Sequence, residues 1–508
     1  MKKICRVLFS RYTISALLLA LELAACIFLF MSMPTSIYSF IVISLIFEIT
    51  AFLDLINKDA NPEYKASFGA VILFLPIVGA VLYFLFYKRH LTKREAKLIE
   101  KSIVEMRALS KNADDFKALS ESSPRAAGKA RAIIAEDPLG VLYRGSAAKY
   151  FPSGEEYFAS LISDIKCAEK YIFLEYFIIA EGGLWDEIHA FLVKKAKEGV
   201  EIRIVFDDVG CMKTLPRDFE AALASEGISA CRFARVSPRL SSVHHNRDHR
   251  KIAIIDGKIG YTGGVNIADE YVNKGSRFGH WKDGGIRLSG DAVLGLLRLF
   301  LVAWDFTTGK VSDYENLLAL PNGKSDGGYY LPFGSGPAPI YKRPVAKNLI
   351  LNIINQAERY IYITTPYLII DYDLTEALCN ASKRGVSVKI ITPGIPDKRA
   401  VWIMTRSSYA YLIRGGVSIY EYDGFIHEKL IVSDGEYAVI GTVNLDYRSL
   451  AHHFECGVWS YLSPLCDTAH AEFLKTLEKS KRISAAEAKP SFTRWLFKIF
   501  IRIFAPLL

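Results

Sequence analysis

Two sets of polar residues share one spacing. In the first, His249 and Lys251 are followed by Asp256, Gly263, Gly264 and Asn266; in the second, His427 and Lys429 are followed by Asp434, Gly441, Thr442 and Asn444. An imidazole can attack phosphorus or carry a proton near neutral pH, a Lys ammonium neutralises phosphate oxygens, and an Asn amide donates hydrogen bonds. Two such sets facing each other would supply a nucleophile and a separate general acid. A lone histidine on a strand is usually packed or exposed without a function, but coincidence does not repeat a whole spacing. In both sets His and Lys are two apart and an apolar stretch follows, "IAII" after Lys251 and "LIV" after Lys429. On a strand both side chains therefore project from one face, at the edge of a buried sheet.

Each set has one more carboxylate in matching context, Asp283 in "WKDGG" and Glu455 in "HFECG". A carboxylate on the far nitrogen would fix the imidazole tautomer and stabilise its protonated form, and this is the role expected of both. Asp256 and Asp434 complete the spacing and are counted with the catalytic set. Each nevertheless precedes a glycine, Gly257 or Gly435, and a turn at a hairpin is their more natural place. His244, His245, Asn246 and Arg247, in a Pro/Ser-rich stretch, and His452 and His453 are open to either reading, headgroup phosphate or solvated loop. Neither group shows metal spacing with Cys or carboxylates. The eight cysteines contain no Cys-x-x-Cys pair, so neither a metal nor a cofactor is expected.

The doubled spacing is similar to the H-x-K-x4-D-x6-G-(G/S/T)-x-N motif of the phospholipase D superfamily. The likeness extends to its cardiolipin synthase branch through "RDHRKIAIIDGKIGYTGGVNIADEY" (247–271), "WKDGGIRLSG" (281–290), "TTPYLIID" (364–371) and "GFIHEKLIVSDGEYAVIGTVNLDYRSL" (424–450). Residues 54–86 resemble that branch's membrane-anchoring segment. The resemblance implies metal-independent phosphatidyl transfer through a phosphohistidine, from one phosphatidylglycerol to another with release of glycerol. By analogy His249 is the nucleophile and His427 the acid and base, although the near-symmetry leaves the order open. Lys251, Lys429, Asn266 and Asn444 would hold the phosphate oxygens. A phospholipase D hydrolase, or a transferase using another alcohol, fits the same motifs; a nuclease of the superfamily fits less well.

The residues that carry this chemistry must be positioned by a repeated scaffold. "KYIFLEYFI" (170–178) recurs as "RYIYITTPYLI" (359–369), "KEGVEIRIVF" (197–206) as "KRGVSVKIIT" (383–392), and "EGISACRF" (226–233) as "GGVSIYEY" (415–422). Short β-branched or aromatic runs alternate with longer amphipathic ones, an α/β pattern. The expected fold is two pseudo-twofold-related, phospholipase D-like α/β domains, preceded by N-terminal transmembrane helices. The expected boundaries are a membrane anchor over 1–90, a charged helical linker over 91–135, a first domain over 136–330, a second over 331–490, and an interfacial tail over 491–508.

Composition agrees with a lipid partner. Of the 508 residues 51% are hydrophobic and 23% charged, and the net charge is +9, which suits an anionic surface. The apolar excess lies in three runs, Ile14 to Met33, Ile37 to Ile56 and Phe68 to Tyr87, each about long enough to cross ~30 Å of hydrocarbon. Lys88, Arg89, Lys93, Arg94 and Lys97 after the third run favour the cytoplasm. Because the N-terminus is basic too, one run is expected to be re-entrant or the N-terminus to lie outside. The tail places Arg494, Lys498 and Arg502 at i, i+4 and i+8 on an otherwise apolar helix, suited to an anionic lipid interface. The expectation is therefore a multi-pass cell-membrane protein with cytoplasmic catalytic domains, acting on phosphatidylglycerol among anionic lipids and binding no nucleic acid.

Overall fold

The computed structural model describes residues 11–32, 34–58, 61–75, 77–87, 93–109, 113–235, 246–275, 277–319, 324–338 and 340–489. His244, His245 and the tail over 491–508 lie outside the described residues. The chain divides into two compact units, one built chiefly from the first 91 residues and the other spanning 92–235 and 246–495.

The larger unit contains two mixed sheets of one topology. The first has the order Ser146–Phe151, Gly285–Gly290, Ile259–Gly263, Lys251–Ile255, Tyr171–Tyr176, Glu201–Asp207, Ser229–Phe233. The second repeats it as Tyr329–Ser335, Glu455–Tyr461, Tyr437–Gly441, Leu430–Ser433, Tyr360–Thr364, Ser387–Pro393, Ser418–Tyr422, and adds the edge strand Ser480–Arg482. In each sheet the last three strands of that shared order run parallel and the rest antiparallel, because helical crossovers join the former and hairpins several of the latter.

Side-chain alternation assigns each strand two faces. On Lys251–Ile255, Ile252 and Ile254 enter the core shared by the two sheets, while Ala253 and Ile255 face the helices outside. Leu430 and Val432 likewise join the shared core and Ile431 the outer one. The outer helices are amphipathic in matching ways. Gly154–Lys166, capped by Ser153, buries Tyr157, Phe158, Leu161, Ile162 and Ile165. Val345–Gln356 buries Val345, Ala346, Leu349, Ile350, Ile353 and Ile354. Each fully buried Leu or Ile of this kind is worth ~1.5–3 kcal/mol. Helix Val293–Thr308 is largely apolar and buried over Val293–Ala303 in the shared core, where its one buried cation, Arg298, donates to the Tyr143 hydroxyl at 2.8 Å.

In the N-terminal unit the first two apolar runs form helices Arg11–Ser32 and Pro34–Ile56. Among the described residues, Tyr38–Ile56 is long and apolar enough to cross a membrane. The third run, Phe68 to Tyr87, is long enough to cross but does not form one helix. It is split into helices Pro62–Phe74, of 13 residues, and Val78–Tyr87, of 10, and neither reaches ~30 Å at 1.5 Å per residue. Pro76 separates them in the sequence, and a proline breaks the backbone hydrogen-bond ladder. The two pack so closely that a Cβ on Gly79 would stand 2.2 Å from the Val71 carbonyl oxygen. Asp54 accepts from the Tyr83 hydroxyl at 2.6 Å and pairs with Lys58 at 3.1 Å, which satisfies a carboxylate among apolar helices.

Strand contacts in the larger unit depend on bare backbone at equivalent places. A Cβ on Gly263 would lie 2.5 Å from the Gly284 oxygen, and one on Gly441 would lie 2.3 Å from the Cys456 oxygen. Gly263→Ala or Gly441→Ala is expected to cost at least ~1–3 kcal/mol through overpacking. Gly128→Ala, at an exposed helical position with nothing within 4 Å, is expected to gain ~0.5–1 kcal/mol. Denaturant or thermal melts of the detergent-solubilised chain measure both.

Candidate functional site

His249 and His427 each precede the central strand of their own sheet, and each is fastened to the other half of the repeat. The His249 amide donates to the Phe454 carbonyl at 2.9 Å, and Asp248 bridges Phe454 in parallel. The His427 amide donates to the Lys282 carbonyl at 2.7 Å, where the short strands Phe425–Ile426 and Trp281–Lys282 pair in parallel. The next residues after Phe454 and Lys282 are the two extra carboxylates, so the register that joins the backbones also delivers Glu455 and Asp283.

The delivery is crossed. Asp283, from the first half, lies 2.7 Å from Nδ1 of His427 in the second; Glu455, from the second half, lies 3.0 Å from Nδ1 of His249 in the first. Both carboxylates are completely buried. A Cβ on Gly264 would stand 2.0 Å from Asp283 Oδ1, so a glycine is required there. The equivalent Thr442 instead donates its hydroxyl to Glu455 Oε2.

The ammonium groups share the site. Lys251 Nζ donates to the His249 carbonyl, and Lys429 Nζ donates to the His427 carbonyl and lies 2.9 Å from His427 Nδ1. Burial drives Lys251 down to about 8 and Lys429 to about 7, in each case against the pull of nearby carboxylates. Burial, then Lys429, lowers His427 to about 4 against Asp283. Burial and then Lys251, His453, Lys429 and His427 hold His249 well below its ordinary value. His249 thus feels Lys429 and His427 of the other motif as well as its own Lys251. The two carboxylates diverge. Burial would raise Asp283, but His427 and Lys429 bring it below its usual range; burial pushes Glu455 up to about 8 against Lys251 and the Thr442 hydroxyl.

The asparagines are placed differently from each other. Asn266 Oδ1 accepts from the Ile178 amide at 3.0 Å and its Nδ2 donates to the Tyr271 hydroxyl at 2.6 Å, leaving one Nδ2 hydrogen for a ligand. Asn444 Oδ1 is buried without a hydrogen-bond partner among the described residues.

Asp256 and Asp434 are not brought to the site, which corrects their inclusion in the catalytic set. Both lie at the far end of the strand from His and Lys, with φ of 53° and 59°, in tight turns whose next residue is a left-handed glycine. The Asp256 carboxylate accepts from the amides of Glu169, Lys170 and Tyr171, and Asp434 from those of Glu358, Arg359 and Tyr360. These bonds tie each hairpin to the start of the neighbouring strand. Arg247 is structural too: it is buried and clamps Asp207, which also accepts from the Asp248 amide at 3.0 Å.

Sequence reasoning missed the walls. Phe177 lies 5.0 Å, centroid to centroid, from His249; Tyr271, Trp281 and Phe425 lie 5.4, 5.5 and 5.9 Å from His427. The quoted motifs contain Tyr271, Trp281 and Phe425, so the signal was an aromatic beside each polar cluster. His453 also faces His249, and one ligand atom each from His249, His453 and Glu455 lie within 4.8 Å of one another, a grouping that no spacing in the sequence displays. Each imidazole is thus oriented at Nδ1 by a buried carboxylate and has a Lys amine beside it, an arrangement suited to holding an anionic phosphodiester.

Comparison with known proteins follows the same lines. A family model described as "Cardiolipin synthase, PLD-like domain" matches residues 161–275 and 350–477, and one described as "Phospholipase_D-nuclease N-terminal" matches 46–86. The chain is 38% identical to an uncharacterised protein of Streptococcus mutans over 90% of its own length and 99% of the relative's. It is 33% identical to a cardiolipin synthase of Alkalihalophilus pseudofirmus over 89% and 90% of the two chains. A phosphatidylserine synthase from Haemophilus influenzae shares the fold, with a TM-score of 0.58 at 15% identity, covering 75% of this chain and 98% of that one.

Two outcomes are expected. Gly264→Ala displaces Asp283 and should lower turnover by ~10²-fold or more, as should Asp283→Asn, whereas Thr442→Val should cost about tenfold; steady-state rates decide this. His427 binds its proton less tightly folded than unfolded, so the unfolded chain takes up the proton between about 6.5 and 4. Its contribution to stability is complete above that window and is lost as pH falls through it; in melts across the window, wild type should lose stability relative to His427→Gln as pH falls.

Proposed function

Because the chain belongs to the cardiolipin synthases of the phospholipase D superfamily and is a phosphatidyltransferase, we propose that it transfers the phosphatidyl group of one phosphatidylglycerol to a second and releases glycerol. The observation that carries this reading is the crossed pair of imidazoles, each with a carboxylate from the opposite half on Nδ1 and a Lys ammonium beside it. In the first step one imidazole Nε2 attacks phosphorus and the P–O bond to glycerol breaks as the other imidazole supplies a proton to the departing oxygen. In the second, that other imidazole takes the proton from a hydroxyl of the incoming phosphatidylglycerol, whose oxygen attacks phosphorus and breaks the P–N bond. Lys251 and Lys429 would balance the charge that grows on the phosphate oxygens, and the Asn266 and Asn444 amides would donate hydrogen bonds to them.

The difference between the two carboxylates supports an assignment opposite to the one drawn by analogy. With Asp283 ionised, His427 keeps its proton on Nδ1 and presents a bare Nε2, the form of a nucleophile. With Glu455 raised, the His249 and Glu455 pair holds one proton more and is the reserve of the general acid. His427 is therefore the proposed nucleophile and His249 the acid and base.

The apolar helices over 11–87 would hold the enzyme on the bilayer that contains its substrate, in a multi-pass arrangement in which the hairpin of Pro62–Phe74 and Val78–Tyr87 enters without crossing. The basic cluster after Tyr87 supports a cytoplasmic catalytic unit.

The test is the full chain in vesicles with phosphatidylglycerol alone, following glycerol release and product mass. Cardiolipin with one glycerol per turnover is expected. Phosphatidic acid alone would assign hydrolysis instead, and cleavage of oligonucleotides without lipid turnover would refute the lipid reading. His249→Ala and His427→Ala should each lower the rate by at least ~10²–10⁴-fold. With a p-nitrophenyl phosphodiester, whose leaving group needs no acid, His249→Ala should still give a burst of nitrophenol and His427→Ala none; the reverse pattern would restore His249 as nucleophile.

A further inference from the structure

The repeat loses its symmetry at one pair of positions beside the two imidazoles. Trp281 precedes Asp283 by two residues and His453 precedes Glu455 by two, so they occupy matching places. Trp281 lies 5.5 Å from His427, and His453 lies 5.7 Å from His249, ring centroid to ring centroid. The His427 side carries Tyr271, Phe425 and Trp281, whose single ring nitrogen is likewise buried without a hydrogen-bond partner among the described residues; the His249 side carries Phe177 and the two-nitrogen ring of His453.

His453 is 8% exposed, and neither ring nitrogen has a hydrogen-bond partner among the described residues. Buried polar atoms without partners are rare because they forgo hydration for nothing, so such a group needs a ligand to account for it. The nearness of its ring to His249 and the Glu455 carboxylate shows where the ligand would sit, on the space over the reacting imidazole. These three groups could in principle hold a cation. After burial, however, the largest influences on His453 are Arg448, Lys251, Arg247 and Lys398, all positive and all favouring the neutral ring, while the Glu455 carboxyl beside it is itself pushed up to about 8. Such a field repels a metal ion and attracts an anion, and a neutral imidazole still offers one N–H.

We propose that His453 is a phosphate-binding residue, whose ring N–H donates to a non-bridging oxygen of the phosphodiester held against His249. The inference rests on the phosphatidyl transfer reading, but its ligand is the phosphate group itself, so it can be tested without turnover. The two sides of the site are then unequal: beside His249 stands an imidazole that can donate or accept, and in the matching place beside His427 an indole that can only donate.

The experiment titrates the detergent-solubilised full chain with inorganic phosphate, followed by tryptophan fluorescence, for wild type, His453→Phe, His453→Leu and His453→Gln, and repeats the titration with a chelator. Phe and Leu remove both nitrogens, Gln restores an N–H, and the apolar pair guards against one variant that fails to fold. The expected result is phosphate affinity weaker by ~10-fold or more in the apolar variants, substantial recovery in Gln, unchanged melting temperature, and no effect of chelator. In phosphatidylglycerol turnover the same variants should raise KM more than they lower kcat. Equal phosphate affinity in wild type and apolar variants, no phosphate response in wild type, or loss of binding on chelation would each overturn the role. Normal phosphate binding that depends on His453 in a chain that does not turn over phosphatidylglycerol would uphold the inference and refute the proposed lipid reaction.

Discussion

Each reactive imidazole is held by a carboxylate that the other half of the repeat supplies. His427 with Asp283 and His249 with Glu455 are crossed contacts, and the backbone bonds from His427 to Lys282 and from His249 to Phe454 set their register. A site of this kind exists only when both sheets are formed and docked, so its geometry is as stable as the shared core between them. That core is continuous, with strands of both sheets and the helix Val293–Thr308 packed together. Placing ions in a dry pocket is costly, and the cost is borne because every carboxylate there has an imidazole, a hydroxyl or an amide on it.

Exact symmetry is not maintained where chemistry has to differ. Gly264 leaves room for a short Asp283, whereas Thr442 donates to a longer Glu455. Between His and Lys, the first half buries Arg250 against Glu175 and Asp248; the second buries Glu428 against Tyr150 and Lys282. The fold tolerates such charge reversal because each residue meets its own local partner. The pocket inherits two similar halves whose proton inventories are unequal, which is what an acid and a nucleophile facing one phosphorus require.

Much of the fold was legible in the residues. The repeated β-branched and aromatic runs at 170–178 and 359–369 contain matching strands, Tyr171–Tyr176 and Tyr360–Thr364, because a short apolar run of that kind suits a central strand buried on both faces. The third apolar run was less legible: its length suggested a crossing, and only the break around Leu75 and the contact of Gly79 with Val71 turn it into a hairpin. The aspartates of the motif were ambiguous for a related reason. Spacing says that Asp256 and Asp434 accompany His and Lys, but a strand carries a residue ~3.3 Å away at each step, so five positions along lies the opposite end of the sheet.

What the chain determined by itself is local and periodic: two closely spaced His and Lys pairs that lead into apolar strands, the turn at each Asp and Gly, the amphipathic helices, and a membership shown by motifs of linear sequence. What the tertiary structure alone decided is which carboxylate meets which imidazole, that His453 faces His249 with its nitrogens unpaired, and that Trp281 and Phe425 wall the other side. Those partners are separated by 144 and 206 positions for the two carboxylate contacts. No local propensity acts over such a distance; only the burial of two apolar sheet faces against each other brings these groups together.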